Sequence, residues 1–132
     1  DREDLVVARA CLESGAAAEA ARKRSARDLL VILDALERLE AAAPSPEGDC
    51  AEEEAFHLAV MQATHNPVIV TFSRLVQIQF QNKAALTDTP AERRAANREH
   101  RRIYEEIERR NPAAARDAMY AHIVGQLKSR TP

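Results

Sequence analysis

The sequence has few aromatic residues, few glycines and no long apolar run. It contains no tryptophan, 3 glycines and 4% aromatic residues in a chain of 132. This low-glycine, alanine-rich and charge-rich composition argues against an all-β fold and favours packed helices. The apolar runs are far shorter than the roughly 18–20 residues that cross a bilayer. The N-terminal stretch also lacks the basic-then-apolar layout of a signal peptide, so we expect a cytoplasmic protein without a membrane partner.

Basic and acidic residues nearly balance in this chain. The chain has 19 basic and 21 acidic residues and a formal net charge of −2. A domain that binds nucleic acid on its own is usually basic, so we do not expect this segment to contact DNA directly. Cys11 and Cys50 form no CxxC motif, which favours reduced thiols. The length fits one domain, and 45% hydrophobic residues are enough to form its core.

Short breaks divide the chain into six predicted helices. The side chains of Ser25, Asn66, Thr89 and Asn111 can accept hydrogen bonds from the free backbone N–H groups of a first helical turn. Proline follows three of these four residues, and it suits the first position of a helix. We therefore predict helices over about 2–23, 26–43, 50–64, 67–86, 90–110 and 112–128. Together they form one all-α antiparallel bundle of about six helices over residues 1–132.

Helical spacing also predicts which faces are buried. The apolar stripe of the first helix is expected to comprise Leu5, Ala8, Leu12, Ala16 and Ala20. The predicted fourth helix is largely apolar but carries a polar stripe at a spacing of four residues, namely Ser73, Gln77 and Gln81. This polar stripe either lines an internal cavity or forms the solvent face of the helix.

Three histidines lie on the apolar faces of three different predicted helices: His57, His100 and His122. Burial of three imidazoles without partners would be costly, whereas one metal ion satisfies all three at once. Glu53 lies four residues before His57 on the same helical face and can supply a carboxylate, and Glu54 is the alternative. The pattern predicts a metal site that suits zinc or nickel, with manganese or iron(II) as alternatives.

Several motifs occur in the order found in one known family. These are Arg9-x-x-Leu12-Glu13, Glu53-x-x-Phe56-His57, Asn66-Pro67, His100-x-x-Ile103 and Ala115-x-x-x-Met119-x-x-His122. The chain thereby resembles the FCD (FadR C-terminal) effector-binding domain of GntR-family transcriptional regulators. The resemblance implies a divalent metal held by Glu53, His57, His100 and His122, with a small organic acid beside it. The family usually has aspartate where this chain has Glu53.

The resemblance also implies a role within a longer regulator. Family members carry an N-terminal winged helix-turn-helix, and nothing in these residues resembles one. We therefore expect a homodimeric sensor domain that reaches DNA only through that missing domain. Arg9 is a candidate for clamping the effector carboxylate, because a guanidinium can form two parallel hydrogen bonds to it. The alternative for Arg9 is an ordinary surface arginine. Ser73, Gln77 and Gln81 are further candidates for effector binding.

Two other functions are compatible with the same residues. Three histidines and a carboxylate with an open position could activate water, as in a metal-dependent hydrolase. No motif places an additional general base or nucleophile, so we expect a protein that is not an enzyme and has no catalytic residues. The second alternative is a helical dimerisation module without a ligand. The sequence alone identifies neither the effector nor the metal.

Overall fold

The computed structural model describes residues 1–42, 50–81 and 89–128. It gives only the backbone of Cys50, Gln79, Phe80, Gln81, Gln126 and Lys128. The described residues form six helices and no strand: α1 (Arg2–Lys23), α2 (Ala26–Ala41), α3 (Cys50–Gln62), α4 (Pro67–Gln81), α5 (Pro90–Glu108) and α6 (Pro112–Lys128). The all-α prediction is confirmed. The predicted extension of the fourth helix to about residue 86 lies outside the described residues.

Side-chain caps begin the helices where the sequence predicts them. The Ser25 hydroxyl accepts a hydrogen bond from the backbone N–H of Asp28 at 3.0 Å, and the Asp28 carboxylate accepts one from the Ser25 N–H at 2.8 Å. The Thr89 hydroxyl accepts from the backbone N–H of Glu92 at the start of α5, and the side-chain oxygens of Asn66 and Asn111 cap α4 and α6. Each such cap typically contributes about 1 kcal/mol. These four caps fix the points at which α2, α4, α5 and α6 begin.

Small side chains let α1 lie along the centre of the bundle. Several alanines of α1 are 0–2% exposed: Ala10, Ala16, Ala17, Ala18, Ala20 and Ala21. Helix α1 packs most extensively against α6, while α2 packs against α3 and α5. Among the described residues, α4 adds only the partly buried Ile69 and Val70 to the apolar core, which places it at the edge of the bundle. The core therefore lies mainly among the other five helices.

The predicted apolar stripe of α1 is wrong at Ala8 and Leu12, while Leu5 is partly buried. Ala16 and Ala20 are buried, but Ala8 and Leu12 are exposed. The buried positions there are instead Val6, Arg9, Ala10 and Glu13. Hydrophobicity misled the prediction because the interior at this level holds a cluster of ionisable groups, which takes polar side chains from α1.

Two arginines join the ends of α1 and α5. The guanidinium of Arg24 donates hydrogen bonds to the carbonyls of Ile107 at 3.3 Å and Glu108 at 2.6 Å. Arg110 donates in return to the carbonyls of Arg22 and Arg24, at 3.3 and 3.0 Å. The last carbonyls of a helix lack partners within it and carry partial negative charge. The exchange therefore stabilises both helix ends and ties them together.

Candidate metal centre

Three imidazoles from three helices meet inside the bundle. His57 of α3, His100 of α5 and His122 of α6 are 0%, 1% and 3% exposed. The ring centroids of His100 and His122 lie 4.3 Å apart, and the ring of His57 lies 5.6 Å from each of them. The structure thus brings together the three histidines that the sequence singled out.

Glu53 completes this group. One ligand atom from each of Glu53, His57, His100 and His122 can be chosen so that all four lie within 4.8 Å of one another. Two atoms that each bind one zinc ion at about 2.1 Å can be no more than about 4.2 Å apart, so the four side chains would have to draw closer together to hold one. Glu54, the alternative carboxylate, lines a surface groove instead.

Two further carboxylates orient the histidines. Nδ1 of His57 lies 2.5 Å from Oε1 of Glu13, and Nδ1 of His122 lies 3.1 Å from Oε1 of Glu99. An ionised carboxylate can only accept, so each Nδ1 donates, and in the neutral form of the ring Nε2 then has the lone pair that a metal needs. Carboxylates of this kind commonly fix the tautomer of metal-binding histidines.

Neither Glu13 nor Glu99 was identified as a site residue from the sequence. Glu13 belongs to the quoted Arg9-x-x-Leu12-Glu13 motif, and it lies one turn after Arg9, whose Nε donates to its Oε2. The signal that could have found Glu13 is this pairing of opposite charges four residues apart on one helix. Glu99 is half-exposed and directly precedes His100, and nothing in its local sequence marks it.

The ring nitrogens that remain have no hydrogen-bond partner. Nε2 of His57, Nε2 of His122 and both nitrogens of His100 are buried and accept or donate no hydrogen bond among the described residues, although Nε2 of His100 lies 3.7 Å from Oε1 of Glu53. Leaving a buried polar group unpaired costs about 1–3 kcal/mol. A divalent cation would satisfy several of these nitrogens together. Three imidazoles and one carboxylate form a donor set of the kind that zinc and related ions accept, so these residues fit such an ion.

The surroundings of the site favour a neutral His100 and an ionised Glu13. Burial, reinforced by the charges of His122, His57 and Arg9, holds the pKa of His100 well below its usual range. Burial alone would raise the pKa of Glu13, but the charges of His57 and Arg9 and their hydrogen bonds outweigh it and lower that pKa. Metal binding requires histidine in its neutral form, which the environment of His100 favours.

The candidate effector residues lie in different places. Arg9 is 8% exposed and paired with Glu13, so its interpretation as a surface arginine is wrong. Ser73 is 3% exposed and its hydroxyl lies 3.2 Å from the sulfur of Met61, so it does not belong to a solvent face. Gln77 lines the surface groove between α3 and α4. The side chain of Gln81 lies outside the described part of the structure.

Two other sequence features stay outside the cluster. The side chain of His65 is 56% exposed, and its Nε2 lies 2.6 Å from Oδ2 of Asp28. Cys11 is an exposed free thiol, while the side chain of Cys50 is not described. Within the described ranges, no helix has both the length and the apolar character needed to cross a membrane.

Comparison with known proteins assigns this architecture to a family. The sequence model of the FCD domain family matches residues 4–125 of this chain. The Glc operon transcriptional activator of Escherichia coli (strain K12) is 33% identical over 130 residues, which cover 91% of this chain and 51% of that protein. The HTH-type transcriptional regulator LutR of Bacillus subtilis (strain 168) is 33% identical over 131 residues, covering 93% and 59%. The chain spans about half the length of these curated relatives.

A solved structure supports the same fold. It is described as E. coli McbR/YncC and superposes with a TM-score of 0.77 at 15% identity, covering 96% of this chain and 62% of that one. The curated relatives are transcriptional regulators and not enzymes, which agrees with the expectation drawn from the sequence. The chain therefore belongs to the FCD domain family of GntR-type transcriptional regulators.

Proposed function

We propose that this domain binds a divalent metal and a small carboxylate effector, and thereby controls DNA binding by a dimeric cytoplasmic regulator. DNA contact belongs to an N-terminal winged helix-turn-helix outside these residues. One observation carries the proposal: buried ring nitrogens from three helices converge without partners beside the carboxylate of Glu53. A domain built only for dimerisation has no need of such a cluster.

In this proposal Glu53, His57, His100 and His122 hold the ion. Zinc is the favoured ion, with nickel, manganese and iron(II) as alternatives. Three neutral imidazoles and one carboxylate leave a bound divalent ion with a net charge of about +1, which supplies an attachment point for an oxyanion. Glu13 and Glu99 keep two of the imidazoles in the tautomer and orientation that this role requires.

In this proposal Arg9 is the candidate contact for the effector carboxylate. Its guanidinium is buried on α1 and lies close enough to His100 for its charge to lower the pKa of that histidine. A carboxylate that enters beside the cluster would gain from this positive charge in a poorly solvated interior. The buried hydroxyl of Ser73 on α4 is a second candidate contact, and Gln77 and Gln81 are further candidates along the same helix.

The site is placed so that binding can change how helices are arranged. Its residues come from α1, α3, α5 and α6, and α1 is the helix that an N-terminal DNA-binding domain would adjoin. An effector controls DNA binding only if it binds one arrangement of the two domains better than the other. A ligand that draws Arg9 towards the histidines would act on α1 directly.

Metal content of purified variants tests the metal part of the proposal. The wild-type chain should retain about one divalent ion per copy after dialysis, whereas His100→Ala and His122→Ala should retain far less. His65→Ala is the matched control, because His65 is exposed and lies outside the cluster, and it should retain the wild-type amount. Full metal retention in both cluster variants would contradict the proposal.

A ligand screen tests the effector part. The metal-loaded chain should unfold at a higher temperature with at least one small carboxylate, such as lactate, citrate or a sugar acid, because a ligand that binds only the folded state stabilises it. The same compound should produce a smaller shift once the metal has been removed. A ligand-free dimerisation module would show no shift with metal, chelator or carboxylate.

A further inference from the structure

The interior face of α1 carries a second arginine besides Arg9. Four residues follow one another along this face at spacings of four, three and four: Arg2, Val6, Arg9 and Glu13. At 3.6 residues per turn they fall within a sector about 60° wide. Val6, Arg9 and Glu13 are 0%, 8% and 1% exposed, and Arg2 is partly buried. Arg2 therefore belongs to the side of α1 that faces the candidate metal centre.

One guanidinium nitrogen of Arg2 is buried without a partner. Among the described residues, three buried side-chain atoms outside the candidate metal centre form no hydrogen bond: Nη2 of Arg2, Oε2 of Glu52 and Nε2 of Gln77. Of these three groups only the guanidinium is a cation. Burial of a charged group is costly unless an opposite charge or a hydrogen bond compensates it. Arg9 has Glu13 for this purpose, whereas Nη2 of Arg2 lacks an acceptor.

The local chemistry of α1 does not account for Arg2. The side chain of Asp1 caps the helix, and Glu3 and Asp4 supply the negative charge that a first helical turn favours. A positive charge in the same turn is opposed by the helix dipole, so Arg2 does not help α1 to begin. An anion from outside the chain would supply the acceptor that Nη2 lacks.

The spacing of the two arginines indicates the kind of anion. Arg2 and Arg9 are seven residues apart, which separates their Cα atoms by about 10 Å along the helix axis. Val6 lies between them, so the face presents a cation, an apolar side chain and a second cation in that order. A dicarboxylate with its acid groups at the two ends of a methylene chain has the complementary order. Carboxylates are the anions that a guanidinium binds with two parallel hydrogen bonds.

We propose that the effector is a dicarboxylate, with one carboxylate bound at Arg9 beside the metal centre and the other bound by Arg2. The methylene chain of the ligand then lies along Val6. This inference rests on the proposed function, because it names the class of acid that the same site binds. Arg2 is thereby the residue that selects a dicarboxylate, since a monocarboxylate engages the Arg9 end alone.

Calorimetric titration of the metal-loaded chain tests the proposal, using straight-chain dicarboxylates from malonate to suberate. Each is compared with the monocarboxylate of the same number of carbons. At least one dicarboxylate longer than malonate should bind about tenfold or more tightly than its monocarboxylate, because a second charge-assisted pair forms. Arg2→Gln should reduce this ratio to about twofold or less, because the amide carries no charge. Arg22→Gln is the matched control and should keep the wild-type ratio, since Arg22 lies on the same helix but pairs with Glu19 at the surface.

The outcomes separate this inference from the proposed function. If monocarboxylates bind but no dicarboxylate binds more tightly, or if Arg2→Gln keeps the wild-type ratio, the inference is wrong and the proposed effector site stands. If the metal-loaded chain binds no carboxylate of either kind, the effector part of the proposed function is wrong and the inference fails with it.

Thermal unfolding without ligand distinguishes a binding role for Arg2 from a structural one. Methionine keeps an apolar stem of similar length but removes the unpartnered charge, so Arg2→Met should melt no lower than the wild type. The same variant should lose the additional rise in melting temperature that the dicarboxylate gives over its monocarboxylate. A ligand-free melting temperature below that of the wild type would show that Arg2 stabilises the fold, which would overturn the proposal.

Discussion

Nδ1 of His57 donates a hydrogen bond to Oε1 of Glu13 at 2.5 Å, which joins α3 to α1 in the interior of the bundle. The other oxygen of Glu13 accepts a hydrogen bond from Nε of Arg9. A continuous chain of hydrogen bonds therefore runs from the candidate effector residue Arg9, through Glu13, to the candidate metal ligand His57. Events at the two sites would be coupled through Glu13.

Glu13→Gln should weaken metal binding without abolishing it. The amide carries no charge to stabilise the His57 tautomer, and loss of such an orienting carboxylate typically lowers metal affinity 10–100-fold. Competition with a chromophoric zinc chelator measures the change. Glu19→Gln, on the same helix but paired at the surface with Arg22 and Lys23, should leave the affinity unaltered. Equal affinities for the two variants would show that Glu13 does not support the site.

Arg9→Lys should separate effector binding from metal binding. Lysine keeps the positive charge but loses the planar pair of donors that fits a carboxylate, so effector affinity should fall at least tenfold. Metal content should stay close to that of the wild type, since Arg9 is not among the four candidate ligands. Calorimetric titration of the metal-loaded variant with the carboxylate found by thermal shift measures the effect. Undiminished effector affinity would remove Arg9 from the pocket.

Arg24→Ala should destabilise the end of the bundle that holds the last turns of α1 and α5. The variant loses the hydrogen bonds to the carbonyls of Ile107 and Glu108. Since these bonds are partly solvated, we expect a loss of about 1–2 kcal/mol in the free energy of unfolding. Urea denaturation measures it against Arg27→Ala, which removes an exposed arginine of α2. A loss no larger than that of the control would show that the exchange with Arg110 contributes little.

Asp28 should make the stability depend on acid pH. Its burial is slight and would raise the pKa, but hydrogen bonds from Ser25 and His65 lower that pKa below its ordinary value. The unfolded chain then takes up the proton first, so stability is present above about pH 4 and falls as the pH drops through the folded-state pKa. In the Asp28→Asn variant the melting temperature should change less between pH 5 and pH 2 than in the control, Asp34→Asn. The control removes an exposed carboxylate of the same helix. If the melting temperatures of the two variants fell equally with pH, Asp28 would make no contribution to the acid dependence of stability.

The sequence predicted the helices and the histidine cluster because local chemistry determines both. Caps such as Ser25 and Thr89 act within one helical turn, so their effect can be read without knowing the tertiary structure. His57, His100 and His122 were identifiable because each lies among apolar residues at helical spacing. The choice between Glu53 and Glu54 was not decidable, since residues three and four positions before His57 are both its neighbours on the helix surface. The structure places Glu53 at the cluster and Glu54 in the groove.

The predictions from sequence failed where polar residues are buried or apolar residues are exposed. On α1, Arg9 and Glu13 are buried because they neutralise each other and bond to His57, while Leu12 is exposed. On α4, Ser73 is buried and Leu75 is exposed, because this helix lies at the edge of the bundle. Helical spacing separates the faces of a helix, but it does not say which face the rest of the molecule covers.

X-ray absorption spectroscopy of the zinc-loaded chain tests the central claim most directly, because it counts and identifies the atoms bound to the ion. The account predicts nitrogen and oxygen neighbours at about 2.0–2.1 Å, the multiple-scattering signature of three imidazoles, and no sulfur. A sulfur neighbour at about 2.3 Å, as a cysteine thiolate would give, contradicts a site formed by Glu53, His57, His100 and His122. A spectrum with fewer than three imidazoles contradicts it equally.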